Sequence, residues 1–452
     1  MKTFKHSNPQ TSRLLFCVAA VAALCGLLHA APAYNGSVKA QEVRARDGVG
    51  NFLAKLKAGK EVTVAYLGGS ITAMNGWRNM TTDWLRKANT NAVVKEVHAA
   101  IGGTGSDLGA FRVGHDALRH KPDLLFVEFA TNDGGRKPEE IWRSMEGIVR
   151  RTWKQDSQTD IIFTYTITTA MTNDYLKGMC NRSASAMEQL ADHYGIPSIC
   201  FGPRVVEYLS ANKLVMSARE YENAVSKDDL DREKKIKGLI AKDPRILFAR
   251  DGVHPSEKGH QLYLVAVANG FREMWGMPAV NHAALLVKPF VEDNLEAAKM
   301  VPVRPEMMLG SWRKLAENDN KAKAFSKRTG DIWYAREPGD TLAFKFKGSC
   351  CKIYDLLGPD GGQVWITVDG VRNRRPVPRF DSYCTYHRIA TLSVYDGKDG
   401  LHEVKIEVDK NEPSRQAVAF RLQNPDAELS SPKYRGTKFW PSQILLVGDL
   451  VQ

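Results

Sequence analysis

Asp251 and His254 stand three residues apart in Asp251-Gly252-Val253-His254, a spacing that lets a carboxylate and an imidazole leave one short loop. The carboxylate can orient the ring through one nitrogen, which leaves the other free to deprotonate a hydroxyl. Ser70 supplies a suitable hydroxyl. It follows residues 62–67, Val-Thr-Val-Ala-Tyr-Leu, and the two glycines 68 and 69. That β-branched run predicts a buried strand ending at a glycine turn. A serine at a strand's C-terminal tip is held rigidly and faces a cleft. A serine, a histidine and an aspartate so placed imply nucleophilic acyl transfer.

Acyl transfer also needs donors aimed where negative charge develops. Residues 101–105, Ile-Gly-Gly-Thr-Gly, follow a predicted strand over 93–100 and offer backbone N–H groups that no side chain obstructs. Residues 124–130 predict another apolar strand, which ends at Thr131-Asn132-Asp133-Gly134-Gly135. An Asn amide at a strand tip is a natural oxyanion donor. Taken singly, each piece has an ordinary reading as a turn, a helix cap or a loop residue. The catalytic reading rests on their joint placement at strand ends.

The blocks GGSIT, AAIGGTGSDLG, FATND and DGVHPSEKGH, in that order, resemble the SGNH (GDSL-like) hydrolase family over roughly residues 60 to 275. Gly69 stands where the family more often has Asp. The resemblance implies a catalytic Ser70, His254 as general base and then acid, and Asp251 as its orienter. It implies an oxyanion hole of the Ser70 and Gly103 N–H groups and the Asn132 amide, with Gly102 or Gly105 as alternatives to Gly103. No metal or organic cofactor is implied.

Residues 1–33 read as a secretory signal: Lys2, Lys5 and Arg13 precede an apolar run over 14–28, and Ala31-Pro32-Ala33 has a small-x-small cleavage pattern. The run is too short to span a bilayer as a helix. Cleavage near Ala33 predicts a secreted or periplasmic protein without a transmembrane segment, and lowers the net charge from +12 to +9. The scattered Lys and Arg predict a solvated surface, and there is no nucleic-acid motif. Five cysteines then remain, at 180, 200, 350, 351 and 384. An odd count leaves at least one thiol without an intrachain partner, and one of Cys350 and Cys351 could meet Cys384. No zinc spacing is present. His115 and His120 read as helix-surface residues, and His260 as starting or supporting a helix over 261–275.

Residues 34–290 alternate strand-like and helix-like segments, which predicts an α/β layer fold with a mainly parallel sheet. By resemblance this is a three-layer, flavodoxin-like hydrolase domain. Helices are expected over 77–88, 108–120, 138–153 and 181–194, and strands over 160–166 and 196–201. Residues 205–247 read as an inserted, charged helical lobe. Trp77 and Arg78 are candidates to shape the pocket; Arg112 and Glu128 could form a buried pair behind it or each be an ordinary surface or sheet-end residue, and a structural role is favoured for both.

Composition changes after residue 290. A linker is expected over 291–325 and an all-β sandwich over 326–452, from period-two strands and the Asp369-Gly370 hairpin signal. The tail resembles the jelly-roll modules that accompany SGNH domains in carbohydrate esterases. Its aromatics Trp333, Tyr334, Trp365, Tyr383, Tyr386 and Trp440 suit either the core or sugar stacking. The expectation is a secreted esterase taking O-acyl, foremost O-acetyl, groups from a glycan or polysaccharide. A lipid or aryl esterase is the alternative, as is a glycan-binding protein with an inactive hydrolase domain.

Overall fold

A computed structural model describes residues 32–451. The signal reading over 1–33 therefore lies almost wholly outside the described residues. Six strands form the first sheet, in the order Val43–Arg44, Ser198–Cys200, Asp160–Tyr165, Leu124–Glu128, Glu61–Gly68 and Val93–His98. All neighbours run parallel except the first pair. Helices cover both faces of such a sheet, so its strands read as continuous apolar runs, and all five residues of Leu124–Glu128 are buried.

Register matters most at the C-terminal tips. Gly68 pairs with Glu128, so the chain leaves the two central strands side by side, toward Ser70 on one and Asn132 on the other. The Trp77–Ala88 helix has the predicted bounds. The predicted 108–120 helix divides into Ser106–Asp116 and a 3-10 turn, Leu118–His120. Arg182–Tyr194 is closed by a left-handed Gly195, where a Cβ would stand 2.0 Å from Asp47 Oδ2.

The Glu257–Met274 helix begins earlier than expected, because Ser256 caps it by accepting the Gly259 N–H. His260 consequently lies within its first turn and is buried. The charged lobe is not wholly helical. Leu214–Ser217 and Ile246–Ala249 pair in parallel within it, and the latter strand delivers the chain to Asp251. These runs are four residues each, too short for their apolar character to show against charged flanks.

The second sheet is antiparallel, in the order Val371–Arg372, Gln363–Val368, Arg388–Val408, Thr341–Leu357, Trp440–Val451 and Ala298–Pro302, with Met308–Leu309 and Val377–Pro378 pairing beside this path. Bulges flank the Cys350-Cys351 pair in the 17-residue central strand. Asp369 and Gly370 both take positive φ, 53° and 80°, as a tight hairpin of this kind requires. Ala298–Pro302 falls in the stretch expected to be a linker, which here supplies an edge strand.

All five cysteines in the described residues are buried and free. Cys351 lies in the main β core, whereas Cys384 lies in a separate cluster with Leu357, Phe380, Val418 and Tyr434. Neither Cys350 nor Cys351 meets Cys384, a pairing the sequence had left open. Among the described residues no helix is long and apolar enough to cross a membrane.

Candidate active site

Ser70 opens a single helical turn directly after the Glu61–Gly68 strand. Its Oγ lies 2.8 Å from His254 Nε2, and His254 Nδ1 lies 2.7 Å from Asp251 Oδ2. Asp251 Oδ1 accepts the backbone N–H groups of Val253 and His254 at 2.9 and 2.8 Å. Partial burial works against ionisation of Asp251. The His254 ring and the two N–H groups outweigh it, and the carboxyl sits below its ordinary range. An ionised Asp251 on Nδ1 places that proton on the far side of the ring, so Nε2 faces the serine as an acceptor.

The loop that carries this pair is fastened from one side. Gly252 (φ 79°) presents its carbonyl to the Thr169 N–H at 2.8 Å and to Thr169 Oγ1 at 3.1 Å. A Cβ on Gly252 would approach that hydroxyl to 2.6 Å. Glycine is required there on both counts.

Two of the candidate oxyanion segments approach the nucleophile turn. Asn132 lies so close to the nucleophile turn that a Cβ at Gly69 would meet its Oδ1 at 1.9 Å. This accounts for glycine before the serine. Gly102 faces Ser70, with its Cβ position 3.7 Å from the serine Cβ. Gly103 follows at φ 72°, and nothing stands within 4 Å of where its side chain would be. Gly105 is extended and caps the Ser106–Asp116 helix, where a Cβ would meet Asp133 Oδ1 at 2.4 Å. Gly102 thus borders the serine, while Gly105 packs against Asp133.

Beneath these turns lies a polar network. Glu128 is buried, and its two oxygens accept Thr166 Oγ1 at 2.8 Å and Thr72 Oγ1 at 2.9 Å. Burial raises its pKa, opposed by these two hydroxyls and by the Gly69 N–H, which also donates to it. Because Thr166 donates to Glu128, Thr131 must donate to Thr166, 2.7 Å away. One carboxyl group therefore ties the nucleophile turn to the turn bearing Asn132. Asp133 is also buried, and Oδ1 accepts the Ser106 N–H at 3.1 Å. Burial pushes its carboxyl up to about 7, against hydrogen bonds from Ser106 and the charge of Arg136.

Several expectations are corrected here. Arg112 does not pair with Glu128: it binds Asp116 at 3.0 Å and the carbonyls of Ala99 and Gly68. Trp77 is fully buried against Tyr66, Phe126 and Phe201, so it supports the sheet and does not line a pocket. Arg78 is buried as well, bonded to the Thr72 carbonyl at 3.0 Å and paired with Glu96. His260 accepts the Trp77 N–H at 3.2 Å; burial, helped by nearby His254, lowers its pKa to about 4 and keeps it neutral. His115 is half-buried against Asp116, while His120 is exposed in the 3-10 turn. Of the tail aromatics, Trp440 is core, Trp333, Tyr334 and Trp365 are half-buried, and Tyr383 and Tyr386 are exposed.

Residues 66–262 match the GDSL-like Lipase/Acylhydrolase family. The chain is similar in fold to a two-domain esterase (CEX) active on acetylated mannans. In crystals with mannopentaose the likeness has a TM-score of 0.62 at 16% identity, over 88% of this chain and 94% of that one. Without the sugar it has a TM-score of 0.62 at 17% identity, over 91% and 100%. The likeness therefore extends through the antiparallel β domain of this chain as well as its α/β domain. No curated protein matches the chain.

Proposed function

We propose that this protein is a secreted or periplasmic serine esterase that removes O-acetyl groups from a polysaccharide. Ser70 attacks the ester carbonyl as His254 takes its proton. The oxyanion is held by the N–H groups of Ser70 and Gly103 and by the Asn132 amide. Collapse expels the sugar alcohol, protonated by His254. His254 then activates water, and acetate leaves. Asp251 stays ionised and steadies the imidazolium that forms in each half-reaction.

The observation that carries the esterase reading is the unbroken relay Ser70–His254–Asp251, at 2.8 and 2.7 Å. The choice of an acetylated glycan is supported by the two-domain fold shared with the mannan-active esterase. The test is acetate release by the purified protein from a panel of acetylated mannan, xylan and pectin, with Ser70→Ala as control. Release from a glycan that vanishes in the variant supports the proposal; turnover of p-nitrophenyl acetate alone refutes the glycan assignment.

A further inference from the structure

One side chain of the β domain meets the helix that follows the Gly103 turn. Lys352 lies in the Thr341–Leu357 strand, half-buried, with Nζ 3.2 Å from Asp107 Oδ2 and 5.7 Å above the Phe111 ring. Asp107 stands in the first turn of the Ser106–Asp116 helix, four residues after Gly103. Its other oxygen meets Arg136 at 2.8 Å. Arg136 closes the turn that carries Asn132: its N–H bonds the Asp133 carbonyl at 2.9 Å, and its Nε lies 3.4 Å from Asp133 Oδ1. The two turns proposed to hold the oxyanion are thus joined through Asp107.

Asp107 is 13% exposed and faces two cations, Arg136 from its own domain and Lys352 from the β domain. Burial opposes its ionisation, and Lys352 followed by Arg136 outweighs that burial. Without Lys352 a largely buried carboxylate would keep a single charge partner. It would then move toward solvent or draw Arg136 away from Asp133, and either shift changes the spacing of Gly103 and Asn132.

We infer that Lys352 is a positioning residue for the oxyanion hole: by holding Asp107, the β domain sets the distance between the Gly103 and Asn132 turns. The inference rests on the oxyanion assignment made above and not on the identity of the glycan. A second contact across the same interface provides a control. Arg143 meets Asp396 of the β domain at 2.9 Å, and its ion pairs leave both turns untouched.

The experiment compares Lys352→Met, Lys352→Arg and Asp396→Asn on p-nitrophenyl acetate, with the affinity of a small boronic acid as second readout. Boronic acids add to the serine and place an oxygen in the oxyanion hole. Lys352→Met is expected to lower kcat roughly 10- to 100-fold with KM nearly unchanged, and to weaken boronate binding in parallel. Lys352→Arg should restore most of both, and Asp396→Asn should change neither. Equal losses in Lys352→Met and Asp396→Asn would overturn the inference in favour of general domain docking. An unchanged kcat and boronate affinity in Lys352→Met would overturn it outright. The aryl ester keeps this outcome separate from the glycan proposal, since a protein inert on acetylated polysaccharides would still report on Lys352.

Discussion

The two sides of Ser70 are built in opposite ways. On the base side, Asp251 and His254 share one short loop, and their side chains are 54% and 40% exposed. Their mutual hydrogen bonds span three residues of sequence. On the oxyanion side, Glu128 and Asp133 are buried, and the hydrogen-bond donors to their carboxyl groups lie 27 to 59 residues away. In the proposed mechanism the exposed side holds groups that must exchange protons with substrate and water. The buried side holds groups that must not move. Activity and stability should therefore separate when each side is broken.

The largest activity effect is expected on the base side. His254→Ala should lower kcat by roughly 10⁶-fold. Since the residue is exposed, it should alter unfolding free energy by no more than ~0.5 kcal/mol. Asn132→Ala should lower kcat by roughly 10²- to 10³-fold with little change in KM, as loss of one oxyanion donor does. Steady-state kinetics on p-nitrophenyl acetate, with denaturant unfolding of the same samples, checks both. A large stability loss in His254→Ala would erase the contrast.

Glu128→Ala should show the reverse balance. It strands the hydroxyls of Thr72 and Thr166 and the Gly69 N–H, each a buried group that costs about 1–3 kcal/mol when unsatisfied. Stability should fall by several kcal/mol while kcat falls by only roughly tenfold. Urea unfolding and kinetics on the folded fraction separate the two effects.

The smallest effect is a pH dependence. Burial raises the Asp133 carboxyl from an ordinary 3.8 to about 7, so between these values the folded protein keeps a proton that the unfolded chain has released. Its contribution to stability is present at low pH and is lost as pH rises through that window. Asp133→Asn stays neutral throughout. Wild type should therefore lose stability relative to the variant from about pH 4 to 7. Parallel curves would place the Asp133 pKa outside this range.

The same contrast governs what could be read from the chain before its structure. The base side was legible because its geometry is local: Asp251 and His254 occupy one loop, with Pro255 and the helix-capping Ser256 directly after it. The central strands were legible because burial on both faces leaves continuous apolar runs. Glu128 was visible as an acid inside such a run, which marks a carboxyl that must find donors. Its donors were not visible, because Thr72 and Thr166 reach it from two other segments. The strand Ala298–Pro302 was hidden for a related reason. It has only five residues, is half-exposed at the sheet edge, and is set beside a proline-rich stretch.

The central claim is that Ser70 forms an acetyl-enzyme on an acetylated polysaccharide. Rapid acid quenching of the protein during turnover, followed by digestion and mass spectrometry, tests it directly. The expected result is an acetyl group on the peptide containing Ser70, absent from Ser70→Ala and accumulating when deacylation is slowed in cold deuterated water. Acetate release from the polysaccharide with no acetyl group on Ser70, and with Ser70→Ala as active as wild type, would contradict it.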